Sequence, residues 1–356
     1  MSVRLDILVR LALAALILAS CDPKPLEPDD DPWKPLSGSR AIGFNADLFS
    51  SSTRTDPLPS GYFGVFAFYQ PGTIGGEAGD WGDGSGWIPN FMFNQKVAFD
   101  GSFTYTPLRY WPSNEENTIT FWAYAPYEDE STVNKHIDRM YVDNSPATYD
   151  NDSPGIPEIK YTTDGFTDFL VSDIEENQQY YGENPVNPDA TVHFTFRHAM
   201  CKVDFKVKKS DPDNLFTVSL TSLSLNDIYF TGVYNQYTRW NAQMGATDDL
   251  NIYSGSATLD NTTPLVISTV GGKLIMPLPQ QLKNKAANLH VEYTLQRGSA
   301  SPVSYQSDFL LEDVMDAWVM NAHYTYNINI FPGSPILFTA SVEQWESEES
   351  GYFNVN

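Results

Sequence analysis

The strongest constraint on this chain is an alternation of apolar and polar side chains, with a period of two, repeated in many separate short stretches. Val192, Phe194 and Phe196 interleave with His193, Thr195 and Arg197, and Val203, Phe205 and Val207 with Lys202, Asp204, Lys206 and Lys208. Val291, Tyr293 and Leu295 alternate with Glu292, Thr294 and Gln296. Tyr324, Tyr326, Ile328 and Ile330 alternate with His323, Thr325, Asn327 and Asn329. Successive side chains of a strand point to opposite faces, so these patterns require strands with one buried and one wet face, as in antiparallel sheets. Further strands are expected over Tyr62–Tyr69, Phe91–Phe99, Thr118–Ala125, Phe216–Tyr229, Lys273–Met276 and Ile336–Val342. Turn-rich joints at Gly75–Gly86, Asp143–Gly155 and Asp211–Asn214 separate them. The aromatic content (21 Phe, 20 Tyr, 8 Trp) agrees, because rings pack well on a pleated, half-buried surface. One short helix is expected around Leu310–Met320, where Leu310, Leu311, Val314 and Trp318 fall at helical spacing.

A chain of 356 residues is longer than one ordinary domain. A polar, proline-bearing stretch at Glu183–Asp189 (ENPVNPD) interrupts the strand pattern and leaves a body of ordinary domain size on each side. The expectation is an all-β chain with two β-sandwich domains, 41–186 and 187–356, and no internal repeat of fixed period.

The first residues read as an address. Arg4 and Arg10 flank a weakly basic start, and Leu11–Leu18 (LALAALIL) is an unbroken apolar run. It is far shorter than the roughly 20 residues of a membrane-spanning helix, and suits the core of a secretory signal. Leu18-Ala19-Ser20-Cys21 resembles the bacterial lipobox. That predicts a signal peptide over 1–20, cleavage between Ser20 and Cys21, and a diacylglycerol on the Cys21 thiol as an outer-membrane anchor. Residues 21–40 are acidic and proline-rich with no apolar periodicity, as expected of an extended tether. With Cys21 acylated, Cys201 has no disulfide partner in the chain, and its place in a strand pattern makes it a buried apolar filler.

The search for chemistry finds little. Lys and Arg number 21 against 45 Asp and Glu, a formal charge of −24, which excludes nucleic-acid binding because phosphate contacts need a basic face. His136, His193, His198, His290 and His323 are scattered, with no pair at helical metal-ligand spacing and no CxxC, so no metal or other cofactor is expected. No nucleophile elbow, P-loop or dinucleotide fingerprint is present, and no carboxylate pair is singled out for glycoside hydrolysis. No catalytic residue is assigned. In the glycine-rich loop Gly75–Trp87, Asp80 and Asp83 invite a calcium reading, which fails EF-hand spacing because Gly82 occupies a ligand position.

Several strings together resemble one family. Ile42-x-Phe44 followed by Thr53-Arg54-Thr55 is similar to the start of Bacteroidetes fimbrillin-type lipoproteins, and Thr120–Tyr127 (TFWAYAPY) to their aromatic strand. Phe194–Val203, with His198 and Lys202, resembles the opening of their second domain. Leu274–Gln280 resembles a later strand end, and Tyr324-x-Tyr326-Asn327-Ile328 with Trp345 the closing strands. Asp29-Asp30-Asp31 is similar to the acidic surface-export signal that follows the lipidated cysteine in that phylum. The family is the Mfa-like, type V pilus fimbrillins.

The resemblance implies transthyretin-like sandwiches in a structural subunit (shaft, anchor or tip) of a surface pilus that serves cell adhesion, with other pilus subunits as partners. It also implies removal of the first strand by an arginine-specific protease, after which a strand from another subunit's C-terminal region fills the groove. Arg40-Ala41, where the tether meets the first apolar strand, is the best match to the processing site, and Arg54 is the second candidate. Ile336, Phe338, Ala340 and Val342 form one apolar strand face that closes its own sandwich or is donated. The alternative is a surface lipoprotein that does not polymerise and binds a glycan or host protein through aromatics such as Trp81 and Trp87.

Overall fold

The alternating stretches form strands in the computed structural model. It describes residues 40–345 apart from 49–55, 58–60, 74–76, 83–88, 130, 134, 142–157, 182–184, 237–238 and 242–244. The first half holds β1 (Gly43–Leu48), β2 (Asp56–Pro57), β3 (Gly61–Gln70), β4 (Met92–Phe99), β5 (Phe103–Tyr105), β6 (Thr118–Ala125), β7 (Ile137–Tyr141), β8 (Glu158–Thr162), β9 (Leu170–Ser172) and β10 (Glu175–Gln178). Then come β11 (Thr191–His198), β12 (Lys202–Lys209), β13 (Phe216–Tyr229), β14 (Thr231–Asn235), β15 (Arg239–Asn241), β16 (Thr247–Thr258) and β17 (Leu265–Val266). The chain ends with helix α1 (Ile267–Gly271) and strands β18 (Gln280–Gln281), β19 (Asn288–Arg297), β20 (Val303–Leu310), β21 (Ala317–Trp318), β22 (Ala322–Ile330) and β23 (Leu337–Gln344).

The first sheet runs β2-β1-β11-β9-β6-β3-β4-β5, with β10 also paired to β6. Its two faces belong to two cores. Every residue of β6 is buried, which is why TITFWAYA does not alternate in polarity. Phe63, Val65, Phe121, Phe194 and Phe196 fill one face. Phe66, Phe68, Trp122 and Tyr124 fill the other, against Ile159, Tyr161 and Tyr234 of the second sheet, β15-β14-β8-β7. The third sheet (β17-β12-β22-β23) and the fourth (β16-β13-β19-β20) enclose a separate core that includes Val203, Phe205, Leu223, Val291 and Tyr326. This is an all-β, sandwich-type architecture.

Sheet membership does not follow the polar break on which the sequence division at 187 rests. Strand β11 ladders onto β1 and β9 of the first sheet, and β14, from further along, pairs with β8. The chain passes to the third sheet at Ala199–Cys201, all three buried.

Two sequence expectations are corrected. The helix around Leu310–Met320 is instead the end of β20, one 3-10 turn at Leu311–Asp313, and β21. Leu311 and Trp318 are buried in the core between the third and fourth sheets, and Trp318 Nε1 donates to the Tyr326 hydroxyl at 2.9 Å, so their helical spacing comes from separate elements. Among the described residues the α-helix is the short α1, stopped by Gly272 at φ 66°, which favours glycine. The strand expected at Lys273–Met276 reduces to a single bridge between Ile275 and Val203. Pro277 and Pro279 follow and have no N–H to extend a ladder. Conversely, β16 and β20 escape the alternation test because they are largely exposed edge strands. The joint at Asp143–Gly155 lies outside the described residues.

Candidate functional site

The feature that sets this fold apart is the seat of β1. Its sequence GFNADL alternates, burying Phe44, Ala46 and Leu48 together with the preceding Ile42 at 1–5 % exposure. It pairs in parallel with β11 over Gly43↔Thr191 to Leu48↔Phe196. Among the described residues, its other side meets the two-residue β2 at Asp47 and Leu48, and the segment just before it meets Arg109–Trp111. Phe44 is the anchor. Its ring stacks on Phe194 at 5.8 Å and meets Tyr105, Phe121 and Phe63 at 5.2, 6.1 and 6.5 Å. The start of the strand closes the curled sheet, since Ile42 N–H donates to the Arg109 carbonyl and the Tyr105 hydroxyl donates to the Ile42 carbonyl, both at 2.9 Å. Burial pushes the Tyr105 phenol up to about 12.

Arg40 and Ala41 lie at the entrance to this seat. Ala41 forms an antiparallel bridge with Tyr110, in which Trp111 N–H donates to the Arg40 carbonyl at 3.0 Å. The Arg40 N–H donates to the Tyr181 hydroxyl at 3.3 Å and its Nε to the Tyr180 hydroxyl at 3.1 Å. The Arg40–Ala41 bond is therefore held in paired backbone. Ser20, Cys21 and Arg54 lie outside the described residues, as do Asp83, Trp87 and the tail after Trp345.

The remaining candidates resolve into structural parts. Trp81 is 1 % exposed and packs on Phe68 at 4.9 Å, which removes it as a sugar-stacking surface. Asp80 Oδ1 accepts from Asn177 Nδ2 at 2.9 Å. Cys201 is fully buried, burial pushes its thiol well up, and its Sγ donates to the Pro277 carbonyl.

His136 sits between Asp164 and Glu128, with contacts of 3.8 and 2.9 Å, and stacks on Tyr161. Those carboxylates, Asp164 first, raise its pKa to about 9 against the opposing effect of burial. Burial disfavours the Asp164 charge, but His136 and the N–H groups of Phe166 and Thr167 hold that carboxyl well below its usual range. Because the folded value of His136 lies above its ordinary 6.5, its stabilisation is complete below that pH and fades as pH rises through about 9. Urea midpoints taken at pH 6 and pH 9.5 are therefore expected to fall for the wild type, and to fall less for His136→Asn.

Sequence reasoning did not find the cluster at the other end of the chain. His198, in β11, is fully buried, with Nδ1 2.5 Å from Asp168 Oδ2, and its ring lies 3.7 Å from Trp345 at an interplanar angle of 6°. Trp345 follows β23 directly, and its N–H donates to the Asn321 carbonyl at 3.1 Å. His198 and Trp345 carried a family signal, but nothing in the sequence pointed to Asp168.

An all-β chain whose first described strand occupies an apolar seat can now be set beside known proteins. A fimbrillin-like family model matches residues 62–345. The chain belongs to the fimbrillin-like family. Fimbrium subunit Fim1C of Phocaeicola vulgatus is 28 % identical to this fimbrillin-like chain over 244 residues, 64 % of its length. The match covers 58 % of that subunit, so the chain spans less than two thirds of that curated relative. Among solved structures, a fimbrial protein from Bacteroides vulgatus superposes with a TM-score of 0.62 at 20 % identity, covering 86 % of this chain and 99 % of that one. That likeness establishes a shared fold.

Proposed function

We propose that this fimbrillin-like chain is a structural subunit of a cell-surface fimbrium serving adhesion, exported as a lipoprotein through Cys21 and assembled by strand exchange with other subunits. One observation carries the reading: β1 and the preceding Ile42 supply four buried side chains to the first core, while the full-length ladder of β1 is to β11 and β2 meets only its last two residues. Removing such a strand opens a ready apolar groove beside an unpaired sheet edge, which another strand can occupy. Until removal, β1 protects that edge against premature association.

The position of β1 bears on the processing site. A cut after Arg40 leaves β1 on the body side of the break, in its seat. A cut after Arg54 separates β1 from β3, and Arg54 is the only basic residue between Leu48 and Gly61. Processing after Arg54 is therefore the version that releases the strand.

The test is digestion of the mature chain, with Cys21 replaced, by an arginine-specific protease. New N-termini are read by mass spectrometry and size on a gel without boiling. The expected result is a heat-labile ladder with Thr55 as the new N-terminus. Arg54→Ala is expected to abolish the ladder and Arg40→Ala to leave it intact. A ladder that survives Arg54→Ala, or a cut chain that stays monomeric, overturns the reading.

A further inference from the structure

Among the described residues, the strands at the ends of the four main sheets are unequally protected against a further strand. Strands β2 and β17 hold two residues each, and β5 and β15 three. The register of β7 on β8 breaks between Ile137 and Arg139, and that of β16 on β13 breaks in three places, with Asp248 and Asp249 in β16. Short length, bulges and charge are the means by which sheet edges avoid one another. Strand β20 has little of this protection. Its ladder to β19 runs unbroken from Asn288↔Leu310 to Leu295↔Val303, and its sequence VSYQSDFL holds no Lys, Arg or Pro. Its one charge, Asp308, lies on the outer face against His290 Nδ1 at 2.6 Å. On the inner face Val303 and Tyr305 are 54 % and 45 % exposed. We infer that β20 is a self-association edge, pairing antiparallel with β20 of a second copy across a two-fold axis at Gln306 and joining two four-stranded sheets into one.

The occupant follows from the order of side chains along β20. A two-fold axis sets residues equally far from it opposite each other, and the pleat keeps inward side chains facing inward ones. About Gln306, Val303 meets Phe309 of the second copy and Tyr305 meets its Ser307 on the inner face. On the outer face Ser304 meets Asp308 of the second copy, and the two Gln306 side chains meet each other. Each pair is complementary: apolar on apolar, hydroxyl beside phenol, hydroxyl donating to carboxylate, amide on amide. No like charges lie opposite, which matters in a chain of charge −24 whose general repulsion opposes association. An axis at Ser307 instead sets Ser304 against Leu310 and leaves Val303 uncovered. Strand β23 is as long, but about its own centre at Ala340 the charged Glu343 would meet Leu337. An interface of two identical halves closes on itself, whereas head-to-tail exchange extends a fibre. The β20 edge therefore joins subunits side by side, the contact that would bundle neighbouring fimbriae. It uses neither β1 nor its seat, and so stands apart from strand exchange.

The experiment uses the uncut mature chain with Cys21 replaced, in which β1 keeps its seat and strand exchange does not contribute. Sedimentation equilibrium is expected to show monomer and dimer. Val303→Lys sets a charge against Phe309 of the second copy at a site already half exposed, and is expected to weaken the dimer about tenfold or more without moving the urea midpoint. Gln306→Cys, on the axis, brings two thiols opposite each other with about 4.5–5.5 Å between Cα atoms, and is expected to give a disulfide dimer on addition of diamide. Ser304→Cys, about 14 Å from its mate, is expected to give none. Cys201 is fully buried and does not compete. A chain that stays monomeric, a dimer indifferent to Val303→Lys, or equal cross-linking at 304 and 306 overturns the inference. A dimer that forms only after residues 346–356 are deleted would make the chain's own tail the occupant of this edge, and overturns it as well.

Discussion

Phe44→Ala is expected to destabilise the intact protein by about 3–5 kcal/mol while leaving assembled multimers unchanged. The first half follows from burial: the ring is 5 % exposed and touches four other rings, and deleting such a side chain loses its transfer energy and leaves a cavity. The backbone of β1 is held on one side by a six-residue ladder to β11, so the cage cannot collapse without disturbing that register. The second half follows from the proposed processing, because a chain that sheds β1 no longer contains residue 44. Urea denaturation of the uncut variant should show the loss, and dissociation temperatures of multimers from wild-type and variant chains should coincide. Equal loss in both states would mean that β1 stays in the assembled subunit.

Trp345→Ala is expected to cost a comparable amount, about 3–5 kcal/mol, and to loosen the end of β23. The indole is 2 % exposed, stacks on the buried His198 ring at 3.7 Å, and directly follows β23. It pins the end of an edge strand whose own inward side chains are half-wet. Losing the pin lowers the local opening energy of β23 without touching its ladder to β22. Hydrogen exchange should report faster opening at Leu337–Gln344. Protection in β23 equal to that of the wild type would show that Trp345 does not hold the strand.

Much of the architecture was legible because alternation records which face of a strand is dry. Phe216–Tyr229 coincides with β13 at both ends, and the alternating Lys202–Lys208 stretch falls within β12. The pattern fails where that physics is absent. Strands β16 and β20 sit at sheet edges and are largely wet, so their sequences carry little period. The 310–320 segment carries buried residues at helical spacing for unrelated reasons. The polar stretch at Glu183–Asp189 does not coincide with the change of sheet, which comes later at a buried Ala-Met-Cys with no polar signal at all. At the candidate site, Ile42 and Phe44 were readable as a strand, but parallel pairing with β11 was not, because it joins segments about 150 residues apart and pairing over such distance leaves no local trace. The pairing of Asp168 with His198 is equally non-local.

The lopsided pairing of β1 also bears on how fast it can leave. A strand with full-length neighbours on both flanks must break two ladders together, and its departure resembles unfolding of the sheet. Here the outer flank offers two residue pairs and the inner flank six. Once its covalent link is cut, β1 can peel from one end, one pair at a time, like tape lifted from a corner. Each small step is reversible, and an incoming strand can follow the retreating one closely enough that the aromatic cage is never wholly open to water.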